Sequence, residues 1–182
     1  MDKYIFKKSN ILNSDECQYF IDLIDNAPES HKKFDKYRGY FKVSIDKQRD
    51  HVYKILNNCM KEYVSLHPFL NKICVKWKVD LFSNLQKYVP GNFYKTEHCE
   101  VGVGGKEQKR AFRRILAWMI YLNDIKKGGG TCWPQQNFIS TAKEGDLYIW
   151  PAGWTHSHYG MIAPYETKYI LTGWCSFIEE KT

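Results

Sequence analysis

The chain has 182 residues, 43% hydrophobic and 16% aromatic, a composition that excludes a disordered segment and suits one domain with a sizeable core. Its net charge of +7 comes from largely scattered basic residues, with short pairs at Lys32–Lys33, Arg113–Arg114 and Lys126–Lys127. With no RNP, zinc-finger or helix-turn-helix pattern, this reads as a solvated basic face before a nucleic-acid surface.

The first ten residues lack the continuous apolar run of a signal sequence, and no stretch approaches a membrane span. The six cysteines (Cys17, Cys59, Cys74, Cys99, Cys132, Cys175) form no C-x-x-C pair. They read as reduced, mostly packed thiols, so the expectation is a cytoplasmic protein without membrane contact.

In "ILNSDECQYFIDLIDNA", Asn13 or Ser14 is the helix N-cap and Glu16 completes a capping box, with an apolar stripe at Cys17, Phe20, Ile21 and Ile24. A charged, exposed stretch follows from Pro28 to Arg38. A second helix falls within "DKQRDHVYKILNNCMKEYVSLHP", where Val52, Ile55, Leu56, Cys59, Met60 and Tyr63 recur at helical spacing and Pro68 lies beyond the end. The pattern then changes to short apolar runs: "KICVKWKVDLFSNLQKYVP", "ILAWMIYLN", "DLYIWP" and "KYILTGWCSFI", separated by the turn chemistry of "PGN", "KKGGG" and "KEGD". Helices followed by strands predict an α+β fold, with helices buttressing a mostly antiparallel sandwich or jelly roll. No repeat or linker divides the chain. The expectation is a single domain over residues 1–182, helical over about 1–70, with a sheet core over about 71–178.

"FYKTEHCEVG" places His98 and Glu100 two residues apart. In a strand both would project from one face toward a common ion, with Cys99 on the other. A third ligand from a distant strand would complete a two-histidine, one-carboxylate set with open coordination positions, as non-haem Fe(II) requires. By itself H-x-E is a weak signal. "WPAGWTHSHYG", about sixty residues on, offers His156 or His158 as the third ligand, and side-chain direction does not separate them.

The order His98 and Glu100, "RRILAWMIYLND", "GGGTCWP", "EGDLYIWPAGWTHSH" and "KYILTGW" resembles the Fe(II)- and 2-oxoglutarate-dependent oxygenases, particularly their prolyl 4-hydroxylase-like branch. The resemblance covers roughly Tyr88 to Phe177 and implies a double-stranded β-helix. It implies Fe(II), 2-oxoglutarate and O₂ as cofactor and cosubstrates, with ascorbate as an accessory reductant. It sets His98 and Glu100 at the first-histidine and acid positions, where Asp is commoner than Glu. Halogenating members carry Gly or Ala there, so Glu100 implies hydroxylation. Lys168 falls where a basic residue pairs with the distal carboxylate of 2-oxoglutarate. Tyr121 and Thr172 fall where hydroxyls help hold that carboxylate, Tyr88 where a tyrosine lines the pocket, and Trp174 on the final strand facing it. Gly129, Gly130 and Thr131 match a structural turn. The distal histidine of the branch precedes the basic residue by about ten positions with a proline between. His158 has that interval to Lys168, with Pro164 between, so it is assigned as ligand and His156 as a supporting residue.

The expected activity is therefore hydroxylation of an unactivated C–H bond coupled to conversion of 2-oxoglutarate to succinate and CO₂, with a prolyl residue of a peptide or protein as acceptor. The rivals are an oxygenase acting on nucleic acid or a small molecule, and a non-catalytic metal-binding jelly-roll module. Three ligands leave the coordination open, unlike the four of a structural zinc site. Selectivity is expected from the segments Gly104 to Arg113 and Pro28 to Phe41.

Overall fold

The computed structural model describes residues 2–29, 33–35, 40–43, 49–93, 96–102 and 108–178. Helix α1 (Ser14–Asp25) begins at Asn13, whose side chain accepts from the Glu16 amide at 2.9 Å while the Glu16 carboxylate accepts from the Asn13 amide at 2.8 Å. That reciprocal box satisfies two of the helix's orphan donors. Helix α2 (Arg49–Leu66) stops just before Pro68, which opens a 3₁₀ turn.

The sheet strands are β1 (Phe6–Lys8), β2 (Lys33–Asp35), β3 (Tyr40–Val43), β4 (Trp77–Tyr88), β5 (Arg114–Tyr121), β6 (Thr131–Trp133), β7 (Phe138–Ile139), β8 (Leu147–Pro151), β9 (Tyr159–Gly160) and β10 (Lys168–Phe177). Among the described residues they form a seven-stranded sheet in the order β1-β8-β5-β10-β4-β3-β2 and a three-stranded sheet in the order β7-β6-β9. The pairings are antiparallel. Two facing antiparallel sheets with helices behind the larger one are the α+β jelly roll that the sequence predicts.

Strict alternation gives the large sheet two apolar faces. On β5, Leu116, Trp118 and Ile120 pack with Phe20 and Ile24 of α1 and with Leu56, Met60 and Tyr63 of α2. Ala117, Met119 and Tyr121 point the other way, into the space between the sheets, with Tyr148, Trp150, Ile170 and Trp133. This double burial explains why "ILAWMIYLN" reads as an unbroken apolar run. Each large side chain withdrawn from water contributes about 1.5–3 kcal/mol, so the helices matter chiefly as cover for the outer face.

The N-terminal part is less purely helical than its sequence suggests. β1 joins the sheet edge against β8, and β2 lies inside the stretch expected as an exposed charged segment, paired with β3. Strands of three or four residues with lysines are too short to display a period. No helix among the described residues is long and apolar enough to cross a membrane.

Gly128 and Gly129 take φ of +73° and +70°, which builds the turn expected before Thr131. At Gly173, in the middle of β10, a Cβ would lie 2.4 Å from a ring carbon of Trp118. Trp118 is locked in the core, so Gly173→Ala should cost about 1–3 kcal/mol through overpacking. The thermal midpoint should fall about 2–4 °C per kcal/mol, and an unchanged midpoint would contradict this packing.

Candidate metal centre

Two backbone hydrogen bonds join the distant histidine segments. The His98 amide donates to the His158 carbonyl at 3.0 Å, and the His158 amide donates to the His98 carbonyl at 2.8 Å. This isolated bridge replaces the extended strand expected at His98–Glu100. The Glu100 amide donates to the Ala152 carbonyl at 2.9 Å, and Ala152 is fixed in turn to Ile115. The chain beyond the bridge is thereby held against the start of β5 and the end of β8.

The imidazoles lie 4.4 Å apart between ring centroids. Nδ1 of His98 lies 2.9 Å from the Thr96 carbonyl, and Nδ1 of His158 lies 3.0 Å from the His156 carbonyl. A carbonyl only accepts, so each Nδ1 carries a proton and each Nε2 is the atom left to face Glu100, with a proton when no metal ion is bound or with its lone pair toward a metal ion. Those two Nε2 atoms stand 3.5 and 3.4 Å from the same Glu100 oxygen, Oε1.

The other Glu100 oxygen, Oε2, accepts from Trp174 Nε1 at 2.7 Å and faces Arg114 Nη1 at 3.4 Å. Arg114 also donates to the Glu100 carbonyl at 3.1 Å, and its guanidinium stacks over the Trp174 ring at 3.7 Å. Burial pushes the Glu100 carboxyl up, but the two facing imidazoles override it and hold the group well below the usual carboxylate range. One oxygen is thus tied off while the ionised other faces the two Nε2 atoms. His98, Glu100 and His158 offer donor atoms within 4.8 Å of one another. Two imidazoles and a carboxylate, with no fourth protein ligand among the described residues, suit a divalent first-row cation with open positions. The residues present therefore fit an Fe(II) ion.

His156 takes another course. It ends a 3₁₀ turn (Trp154–His156), so it does not share a strand face with His158. Its Nε2 lies 3.5 Å from Asp2 and its Nδ1 3.0 Å from the Thr155 hydroxyl. Its tie to the cluster is the backbone carbonyl that holds His158 Nδ1. Trp150 and Trp133 flank His158, at 4.9 and 6.0 Å between ring centroids. They wall that side of the cluster with apolar surface.

Lys168 opens β10 opposite Tyr88 and is only 3% exposed. It shares the inner face of β10 with Trp174 by strand alternation. Its Nζ sits 4.8 Å over the Tyr88 ring, and no carboxylate among the described residues pairs with it. Burial alone pushes the ammonium down to about 8. The Tyr121 hydroxyl lies between Ser140 Oγ at 2.7 Å and Thr131 Oγ1 at 3.0 Å in the same interior, and burial raises its pKa. Tyr88 donates to Gln86 at 2.7 Å, and Thr172 donates to the Trp118 carbonyl at 2.8 Å. Trp174, expected on the final strand facing the cosubstrate pocket, donates its Nε1–H to Glu100 Oε2. The structure also adds Arg114, Thr131 and Ser140. Arg114 carries a sequence signal, a cation at the head of an apolar strand, but its reach to Glu100 depends on a fold contact.

No family model matches the sequence, and no curated protein matches it. Solved structures do share the fold. A viral collagen prolyl hydroxylase from Paramecium Bursaria Chlorella virus-1, in complex with 2OG, superposes with a TM-score of 0.74 at 18% identity, covering 97% of each chain. A prolyl-4-hydroxylase from Pseudomonas putida gives 0.70 at 15% identity, covering 97% of this chain and 94% of that one. A prolyl hydroxylase from Trichoplax adhaerens, in complex with a peptide fragment of the hypoxia inducible factor oxygen degradation domain, gives 0.63 at 16% identity, covering 96% and 84%. The chain therefore has the fold of the 2-oxoglutarate-Fe(II) oxygenases.

Trp174→Phe deletes one donor to Glu100 Oε2 and keeps a ring for Arg114. Loss of such an outer partner should weaken Fe(II) binding roughly 10–100-fold with the circular dichroism spectrum unchanged. Anaerobic metal titration would measure it, and wild-type affinity would show that Arg114 alone suffices.

Proposed function

We propose that this protein is an Fe(II)- and 2-oxoglutarate-dependent oxygenase that hydroxylates an unactivated C–H bond. Within that class we infer that its acceptor is a prolyl residue in a peptide or protein. The observation that carries the class is a pairing within one jelly roll: a two-histidine, one-carboxylate set, and a buried Lys168 ammonium without a carboxylate partner among the described residues. A buried charge is costly until paired, so Lys168 is a receptor for an anion.

His98, Glu100 and His158 would hold the ion, with Nε2 of each histidine and Oε1 of Glu100 already turned toward one another. Bound Fe(II) with 2-oxoglutarate and O₂ supplies the oxidising chemistry. Lys168, with the Tyr88 ring under its ammonium, receives the distal carboxylate of the cosubstrate, and Tyr121 would add a hydroxyl from the same interior. Thr172 and Trp174 serve at one remove, the first bound to the β5 backbone and the second steadying Glu100. Trp133 and Trp150 keep water from the His158 side. Glu100 occupies the space a halide would need, which favours hydroxylation. The peptide assignment draws on the fold neighbours that act on prolyl residues, one of them seen with a peptide.

With iron, ascorbate and 2-oxoglutarate, the protein should release succinate slowly alone and faster with a proline-containing peptide, whose mass should rise by one oxygen atom. Stimulation by methylated single-stranded oligonucleotides instead would move the substrate to nucleic acid. No succinate under any condition would leave only a metal-binding module.

Lys168 also sets a pH dependence. Its ammonium is needed to bind the carboxylate, so 2-oxoglutarate affinity should fall above pH about 8, by up to about tenfold per unit. Between about 8 and the ordinary 10.5 the unfolded chain binds the extra proton, so without cosubstrate the stability should rise with pH by about 3 kcal/mol. Lys168→Met should abolish both effects. A flat binding profile in the wild type would remove Lys168 from the anion site.

A further inference from the structure

The registers of the large sheet fix what lies side by side on its inner face. Tyr88 of β4 stands beside Lys168 of β10, Gln86 beside Ile170, and Asn84 beside Thr172. Leu85 packs with the helices on the outer face, whereas Tyr88, Ile170 and Trp174 belong to the inner core. Alternation therefore puts Asn84 and Gln86 on the inner face, which is also the face of the Trp174 indole that holds Glu100. In the strand order β5-β10-β4 they flank the line from Lys168 to Trp174 on the side away from β5.

Both are carboxamides with hydrogen-bonding capacity to spare. Gln86 Oε1 accepts from the Tyr88 hydroxyl at 2.7 Å, which leaves its Nε2. The Asn84 carboxamide has no hydrogen bond among the described residues. The two residues are half-buried, and none of their amide atoms is sealed away unpaired, so both can meet a ligand. Asparagine suits a strand interior poorly, and its place in the middle of β4 points to a task other than folding.

Building on the oxygenase reading, we propose that Asn84 and Gln86 bind the main chain of the substrate peptide, with Asn84 as the principal contact.

A carboxamide offers a donor and an acceptor together, and a peptide group returns one of each. Alternate residues of a strand repeat every ~6.7 Å, the same distance at which an extended peptide repeats. Asn84 and Gln86 can therefore meet peptide groups two residues apart on a chain laid along β4. A prolyl residue has no N–H, so it supplies a carbonyl to Asn84 Nδ2 while a flanking residue supplies an N–H to Oδ1. Charge favours a peptide over a nucleic acid. Among residues 84, 86, 88, 168, 170, 172 and 174 the one cation is Lys168. The cosubstrate engages it, which leaves none at these positions for a phosphate chain.

The test uses the full chain with Fe(II) and 2-oxoglutarate added anaerobically, and fluorescence anisotropy with a labelled alanine peptide carrying one central proline. Each backbone N–H in turn is replaced by an ester oxygen, which deletes the donor and keeps the shape. In the wild type one position near the proline should lose affinity by about three- to tenfold. In Asn84→Leu the all-amide peptide should bind more weakly by a similar factor, and that ester should cost nothing further. Asn84→Ala gives the same reading if circular dichroism shows that leucine disturbs the fold. The 2-oxoglutarate affinity, from a charge-transfer titration, should stay at the wild-type value in both variants. An ester penalty as large in the variants as in the wild type, or no peptide binding at all, would overturn the proposal. So would a matching loss of 2-oxoglutarate affinity, which would give the carboxamide to the cosubstrate. Tighter binding of an adenine-rich single-stranded oligonucleotide would overturn it too, since a carboxamide also reads adenine. The binding readout needs no turnover. Coupling between the ester and Asn84 without succinate release would therefore sink the oxygenase reading alone, and succinate release without coupling would sink this inference alone.

Discussion

The site depends on one backbone contact, the two-bond bridge between His98 and His158. About sixty residues of chain separate the two segments, and ordering that chain has a large entropic cost. The cost is met by the two-faced core of the large sheet and not at the site. With the bridge in place, both Nδ1 protons are committed to local carbonyls, of Thr96 and His156, and both Nε2 atoms face inward. The imidazoles are aimed by main-chain carbonyls, so the geometry of the proposed ligands is preset by the backbone.

Glu100 shows how a longer acid can serve in such a frame. One extra methylene gives the carboxylate more freedom than an aspartate would have. Trp174 and Arg114 remove that freedom by fixing Oε2, and the stack of Arg114 on Trp174 fixes the fixers. Lys168 obeys the opposite logic. It is held in the interior with an aromatic face below it and no carboxylate beside it among the described residues. Its environment is costly for a charge until an anion arrives. The proposed metal ligands are preorganised by partners, and the proposed cosubstrate receptor by the lack of a carboxylate among the described residues.

Much of the fold was legible in the sequence because its signals are local. The capping box at Asn13, the helical stripes and the apolar run from Ile115 to Leu122 each need only neighbouring residues. β1, β2 and β3 were not legible, since edge strands this short are specified by the sheet they join and not by their own pattern. At the site, the grouping of His98, Glu100 and His158 followed from motif order. The strand expected around them was wrong in kind, because one bridge and a bend replace it. The 3₁₀ turn that sends His156 toward Asp2 likewise has no period to read. The roles of Arg114 and Trp174 depend on contacts between residues far apart in the chain, which spacing cannot report. Of the segments expected to shape selectivity, residues 30–32, 36–39 and 104–107 lie outside the described residues, while Arg110 and Arg113 line a cleft where β4 begins and β10 ends.

The central claim is that His98, Glu100 and His158 hold Fe(II) with positions open to a chelating 2-oxo acid. An anaerobic absorbance titration tests it most directly: 2-oxoglutarate is added to the Fe(II)-loaded protein, and the visible metal-to-cosubstrate charge-transfer band is followed. The band should develop to saturation with one equivalent bound in the wild type, persist in His156→Ala, and be lost in His158→Ala. A wild-type protein that takes up Fe(II) and 2-oxoglutarate without the band, or a band that survives in His158→Ala and vanishes in His156→Ala, would contradict the account.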